Sequence, residues 1–413
     1  IPLPEVRIFL RVEPDVSMAR QDDVFDIDYL RMRLRPYDAI AHAFGFTVRD
    51  GTLPIAENAD WLAGEVAAAS ARPYVLYVHS NNVDVGGADK VLALLARHMR
   101  DHGRPHGGCR VAVALRLATP IIDSHAGAGI PVFLFPFARP QPSRGIAGLA
   151  RLAVKAPQSL WFVGRRGGRE RPEIVHVNDL YDVLPVLAAR LRGIPVVWHI
   201  RMIVQRDRMR RAFAAMIARY AAASVSVSQA VRDHYFPSGH STHRAHVIHD
   251  LGNAALVADD HDPSLTGPRP RDVPPGGDRL VVMVGRVEPW KGQHVFVEAV
   301  EHLCSAARAR AVFAIVGGPV EGKEAYFEEI RRRAERNGIL LFGDRSDVPE
   351  LLRAADISVH ASVAPDPFPG VVIESLLSGA ATVAAGAGGA LEMIEDGVQG
   401  RLCLPGDARA LAD

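Results

Sequence analysis

From Tyr74 onward, short apolar runs alternate with longer stretches in which apolar residues recur every three to four positions. The runs are "YVLYVH" (Tyr74 to His79), "RVAVAL" (Arg110 to Leu115), "PVFLF" (Pro131 to Phe135), "EIVHV" (Glu173 to Val177), "PVVWHI" (Pro195 to Ile200), "ASVSVS" (Ala223 to Ser228) and "HVI" (His246 to Ile248). Runs of this kind predict strands of one sheet, and "KVLALLARHM" and "VLPVLAARL" between them predict crossover helices. That rhythm is βαβ with a parallel sheet, so residues 73–255 are expected to form a Rossmann-like domain. The Pro-, Gly- and Asp-rich stretch "DDHDPSLTGPRPRDVPPGGD" (Asp259 to Asp278) sustains neither period and predicts a linker, set at 256–278. Beyond it the rhythm restarts, with "RLVVMVG", "AVFAIVGG", "GILLFG", "DISVHAS" and "ATVAAG" as strands. "HVFVEAVEHLCSAARA" and "KEAYFEEIRRRAERNG" read as helices, which makes residues 279–413 a second α/β domain. Each domain should carry its ligand loops at the C-terminal ends of its strands, so two such domains predict a deep interdomain cleft. Residues 1–72 break the rhythm. "YDAIAHAFGF" and "WLAGEVAAAS" read as helical there, no chemistry stands out, and the segment stays unassigned.

Composition narrows the class. With 48% apolar and 23% charged residues among 413, the chain resembles neither a disordered nor a membrane-spanning protein. A formal net charge of +1 gives no global attraction to nucleic acid. Cys109, Cys304 and Cys403 are far apart and lack the spacing of a zinc site, which fits a reducing cytoplasm. No apolar run reaches about 18 residues and no secretory pattern opens the chain, so neither a spanning helix nor a signal peptide is expected. Ile1 in first place reads as part of a longer chain.

Two segments carry chemistry. In "VGRVEPWKGQHVF" (Val284 to Phe296) a strand hands over to a helix, with Gly285 permitting a tight turn, Arg286 directed into the crevice and Lys291 expected in the first helical turn, beside Gly292. A helix N-terminus attracts anions, and a lysine there runs against the helix dipole by about 0.3–1 kcal/mol. An anion site would account for that local conflict; a pair of solvated surface charges is the alternative. In "APDPFPGVVIESLLSGA" (Ala364 to Ala380), Asp366 and Glu374 lie on either side of a rigid "PFPG" loop that opens a helix. The N–H groups of such a loop can cradle a phosphate or sugar, and Glu374 can accept from a ribose diol; ordinary helix capping by acidic residues is the alternative.

Together "GRVEPWKG" and the D-x7-E element, followed by "SGA…GG…E…DG…G", resemble the C-terminal domain of family 4 retaining glycosyltransferases, which have the GT-B fold; the likeness extends over about residues 74–413. The resemblance implies that Arg286 and Lys291 neutralise the diphosphate of a nucleotide-sugar donor and that Glu374 holds its ribose. It also implies that Asp366, in the place of the family's first glutamate, meets the sugar hydroxyls, and that the loop Phe368, Pro369, Gly370 and Val371 lines the sugar. Pro369 brings no N–H to that task. In "NNVDVGGADKVLALLA", Gly86 and Gly87 resemble the family's glycine loop by the diphosphate and acceptor. "EIVHVND" resembles the family's H-x-H strand end, with His176 kept and Asn178 in the second place, and "VVWHIR" puts His199 and Arg201 at a strand end by the cleft.

The expected enzyme is therefore a retaining hexosyl-type glycosyltransferase with a nucleotide-sugar donor and a saccharide, lipid-linked or small-molecule acceptor, working in polysaccharide or glycoconjugate synthesis. No metal or other cofactor is expected, since two cations and N–H dipoles take the place of Mg²⁺ and no Asp-x-Asp motif stands in the right setting. A nucleotide-sugar epimerase, a phosphorylase and a binding module without turnover remain as alternatives. The dinucleotide fingerprint G-x-G-x-x-G is missing after the first strand, which argues against NAD. The basic segment "VGRRGGRERP" (Val163 to Pro172) reads as solvated charge or as peripheral contact with the inner membrane face. "PGDARALAD" at the end stands where family members continue with further helices.

Overall fold

The computed structural model describes residues 8–20, 27–43, 46–70, 72–80, 86–102, 108–135, 154–155, 157–159, 161–163, 171–237, 244–250, 267–274 and 277–413. Contacts sort the chain into two compact units: Ile1–Val85, Leu92–His176 and Ala188–Pro195 in the first, and Gly86–Val91, Val177–Leu187 and Val196–Asp413 in the second.

The strands are β1 (Ile8–Arg11), β2 (Thr47–Asp50), β3 (Tyr74–His79), β4 (Arg110–Leu115), β5 (Val132–Leu134), β6 (Ile174–Val177), β7 (Val196–Ile200), β8 (Ala223–Ser226), β9 (Ala245–Val247), β10 (Arg279–Val284), β11 (Ala311–Val316), β12 (Leu340–Phe342), β13 (Ile357–His360), β14 (Ala381–Ala385) and β15 (Gly400–Cys403). The helices are α1 (Pro14–Arg20), α2 (Ile27–Ala43), α3 (Ile55–Ser70), α4 (Gly87–His102), α5 (Ile121–Gly127), α6 (Val183–Leu191), α7 (Asp207–Tyr220), α8 (Gln229–Tyr235), α9 (Gln293–His302), α10 (Ser305–Ala309), α11 (Glu324–Arg336), α12 (Val348–Ala354), α13 (Gly370–Leu377) and α14 (Ala408–Ala412).

Two sheets dominate, in the orders β5-β4-β3-β6-β7-β8-β9 and β12-β11-β10-β13-β14-β15. Both are doubly wound: the chain works outward along one side from the first strand, then returns to its other flank. In sheets wound this way the ligand crevice generally lies outside the strand ends where the order reverses, which here falls between β3 and β6 in one sheet and between β10 and β13 in the other. The alternation of β10 shows why the second sheet is buried on both faces. Val281 and Met283 join one core with Phe296, Phe313 and Ile315, while Leu280 and Val282 join another with Leu351 and Val316. A strand apolar at every position is satisfied only when helices cover both sides.

The structure departs from the periodicity at several points. "HVFVEAVEHLCSAARA" is two helices, α9 and α10, because Leu303 turns extended (φ −65°, ψ 140°) and Cys304 follows it in the same region. Residues 8–70 hold a parallel strand pair, β1 with β2 in register from Ile8↔Thr47 to Arg11↔Asp50, beside the helices that the sequence suggests. At four residues each, these strands are too short to show a period. β15 also escapes the sequence reading, since "GRLC" has no alternation and follows a turn. Of the expected linker, residues 267–274 form neither strand nor helix, and residues 256–266, 275 and 276 lie outside the described residues, as do residues 164–170 of the basic segment.

Candidate active site

Of the candidate donor and cleft residues, His176 falls in the first unit, while Gly86, Gly87, Asn178, His199, Arg201, Gly285, Arg286, Lys291, Asp366, Phe368, Pro369, Gly370, Val371 and Glu374 fall in the second. After β10 the chain passes Gly285 and Arg286 and makes a 3-10 turn over Pro289–Lys291 before α9 begins. Lys291 therefore precedes α9, with Gly292 between, and does not occupy its first turn as the sequence suggests. Gly292 is the reason: it takes a left-handed conformation (φ 81°), and a Cβ there would collide with the Ala361 carbonyl oxygen. The cation thus stands at the end of a 3-10 turn rather than on the unfavourable end of a helix dipole. The amide of Gln293, wholly buried, donates to the Arg286 carbonyl at 2.9 Å and fixes the turn from inside. Arg286 reaches Glu288, with 3.2 Å between Nη2 and Oε1, and stays 41% exposed.

The second half of the site follows β13. His360, Ser362 and Asp366 are each about nine-tenths buried or more. Lys291 Nζ donates to Asp366 Oδ2 at 2.6 Å and lies 4.1 Å from the centre of the Trp290 ring. His360 Nε2 is 3.4 Å from the same carboxylate oxygen and 2.9 Å from Ser362 Oγ. Serine and aspartate meet one ring nitrogen, so the three do not form a nucleophile relay, which uses opposite nitrogens. Burial pushes the Asp366 carboxyl up, but the Lys291 charge and the His360 contacts outweigh it and hold the carboxyl below the usual carboxylate range.

The Asp366 backbone is gripped as well. Gly389 N–H donates to the Asp366 carbonyl at 2.8 Å, and Gly388, at φ 65°, leaves room that a Cβ would take from that same carbonyl. Helix α13 then starts at Gly370 behind Pro369, whose carbonyl accepts from Val372 N–H at 3.0 Å. Among the described residues the N–H groups of Gly370 and Val371 meet no acceptor, as the first turn of a helix dictates. Ser375 Oγ ties α13 to β13 through Ser358 Oγ at 2.6 Å. One turn in, Glu374 is half-buried, and its carboxylate makes no hydrogen bond among the described residues; burial raises its pKa, opposed by the charge of Lys90.

On the other sheet, Gly86 stands at the start of α4, its N–H donating to Asp89 Oδ2 at 2.9 Å. Asn178, just past β6, reaches the neighbouring Ala88 carbonyl at 3.4 Å. Arg201, just past β7, donates from Nε to Asn178 Oδ1 at 2.9 Å, approaches His199 Nδ1 at 3.4 Å and pairs with Asp250. The structure thus brings Gly86, Gly87, Asn178, His199 and Arg201 to one set of strand ends. His176 turns away and packs its ring 4.8 Å from that of Tyr77.

Sequence reasoning missed several residues that complete this arrangement. Lys90, His249, Asp250 and Glu392 act across long sequence distances, whereas His360 meets Ser362 and Asp366 within the segment that begins at the end of β13. The only signals were a lysine closing "GGADK", a histidine ending the strand "DISVHAS", and the glutamate in "GG…E…DG". No group of three His, Cys, Asp or Glu side chains among the described residues is placed to hold a metal ion. No helix among them is long and apolar enough to cross a membrane.

Residues 278–413 match the protein family described as Glycosyl transferases group 1. The chain carries a glycosyltransferase domain. Solved structures of Anabaena HepE are similar to most of the chain. The complex with UDP and glucose is 25% identical, covers 82% of this chain and 88% of its own, and has a TM-score of 0.63. The complex with UDP-glucose is also 25% identical, with 82% and 87% covered and a TM-score of 0.63. A glycosyltransferase from Rickettsia africae, at 19% identity with 83% and 86% covered, shares the fold with a TM-score of 0.62. No curated protein matches the chain. The fold is GT-B, and the enzyme class is glycosyltransferase.

Proposed function

We propose that this glycosyltransferase belongs to family 4 and moves a sugar from a nucleoside diphosphate donor to an acceptor hydroxyl with retention of anomeric configuration. The observation that carries this reading is the meeting of Lys291 and Asp366, 75 residues apart in sequence, where the order of the second sheet reverses, followed by α13 with the Glu374 carboxylate one turn from its start. Arg286, Lys291 and the N–H groups of Gly370 and Val371 receive the diphosphate. Glu374 accepts from the ribose, and Asp366 Oδ1, which makes no hydrogen bond among the described residues, accepts from a sugar hydroxyl. Gly86, Gly87, Asn178, His199 and Arg201 face the acceptor side.

In the reaction the bond between sugar C1 and the diphosphate oxygen breaks, and its electron pair goes to that oxygen. The acceptor oxygen bonds to C1 on the same face, and its proton passes to the departing phosphate. The protein's part is electrostatic: negative charge gathers on the leaving group, where fixed cations and dipoles already wait. Those groups do the work a metal ion does elsewhere, so the scheme places none. The acceptor is a saccharide, a lipid-linked sugar or a small molecule, in polysaccharide or glycoconjugate synthesis in the cytoplasm or at the inner face of the membrane. The Anabaena HepE complexes make UDP-glucose the first donor to try. Incubation with UDP-, GDP- and ADP-sugars and a panel of sugar acceptors, with the anomeric proton of the product read by NMR, tests the reading. Transfer with retention is expected. Inversion, or an epimerised donor without transfer, overturns it.

A further inference from the structure

One aromatic contact in the second unit touches the donor loop without belonging to the phosphate-binding groups. The His249 ring stacks on Phe368 with centroids 4.9 Å apart and planes 12° from parallel. Phe368 is the midpoint of the loop that runs from Asp366 to Gly370. His249 is itself fixed at two further points. Its Nε2 lies 3.0 Å from Glu392 Oε2, and the next residue, Asp250, is paired with the buried Arg201. Glu392 is equally constrained, since its carboxylate accepts the N–H groups of Gln229 and Ala230 at 2.8 Å each, the first two residues of α8. Ser228 accepts the Val231 N–H at 3.1 Å, so serine and glutamate share the capping of that helix. The 3-10 turn Gly389–Glu392 that delivers Glu392 is the same turn whose Gly389 holds the Asp366 carbonyl.

We propose that His249 is a positioning residue for the Asp366–Gly370 loop: oriented by Glu392, it holds the Phe368 ring and through it sets how the loop meets the sugar of the donor. The proposal rests on the donor-site reading above. The alternative role, a contact that only stabilises the fold, makes a different forecast. Arg286 and Lys291 hydrogen-bond to neither His249 nor Phe368, so a nucleoside diphosphate without its sugar should not register the loss of the stack. A nucleotide sugar should.

Binding is measured by calorimetry on the full chain with three pairs of probes: UDP and UDP-glucose, GDP and GDP-mannose, ADP and ADP-glucose. For the pair that binds wild type, His249→Ala is expected to weaken the sugar nucleotide about tenfold, the scale of one aromatic pair, and the bare nucleotide less than about twofold. His249→Phe keeps a ring against Phe368 while losing the Glu392 contact, and is expected to recover most of the loss. Equal weakening of both members of the pair, no weakening of either, or a His249→Phe variant as poor as His249→Ala overturns the proposal. If wild type binds none of the six probes, the donor-site reading falls, and the proposal falls with it.

Discussion

Lys291 holds its charge against a buried carboxylate before any ligand arrives, so its removal acts twice. The leaving group loses a stabilising cation, and Asp366 loses the partner that offsets its burial. Lys291→Ala is expected to lower kcat/KM by more than about 100-fold, measured with the best donor from the screen. The same variant should lose stability in urea unfolding, and adding Asp366→Asn should restore much of that loss, because the neutral amide no longer needs the ammonium. Glu374 gives the opposite balance. Burial holds its pKa above the ordinary carboxylate value, so its ionised form opposes folding; the cost is absent below the unfolded-state pKa and grows as pH rises through the folded one. Glu374→Gln should therefore melt higher than wild type near about pH 8 and alike near about pH 4, while binding nucleotide more weakly at the higher pH. Arg286, Lys291, Asp366 and Glu374 were all visible in the sequence, because each lies in a short charged motif beside a glycine or proline. Their partners were not. His360 and Ser362 read as the tail of a strand, and nothing local connects His249 to Phe368 or Glu392.

At the scale of elements, the site depends on how tightly turns pass one another. Gly292 lets the 3-10 turn carrying Lys291 run against the end of β13. Gly292→Ala meets both a left-handed φ and the Ala361 carbonyl, and should cost more than about 2 kcal/mol in unfolding free energy, with catalysis lost alongside as Lys291 is displaced. The sequence placed Lys291 in the first turn of the following helix because glycine and apolar spacing cannot distinguish a 3-10 turn from an α-helical start. The break at Leu303 was hidden for a similar reason: apolar spacing runs on through it, and no proline or glycine announces the turn. By contrast, the apolar runs of β3, β4, β10 and β11 declared themselves, since strands buried on both faces have no polar positions to blur them.

For the whole molecule, the two sheets repeat one winding order, and the charged motifs stand at the reversal point of the second sheet. A nucleotide present at about 100 times its Kd should raise unfolding free energy by about 2.7 kcal/mol, a rise that a thermal-shift screen detects without knowing the acceptor. With a net charge of +1, the molecule has little long-range field to draw in an anionic donor. The Lys291–Asp366 pair adds a consequence of its own: the lysine arrives with an internal counter-ion, and a phosphate must take the ammonium over by exchange. Simple anions such as sulfate or inorganic phosphate, which gain nothing from the ribose and sugar contacts, should compete poorly, and donor affinity should fall only gently as salt is raised. Titrating sodium sulfate against bound nucleotide would show it, and Asp366→Asn, by freeing the ammonium, should turn the same pocket into one that simple anions occupy readily.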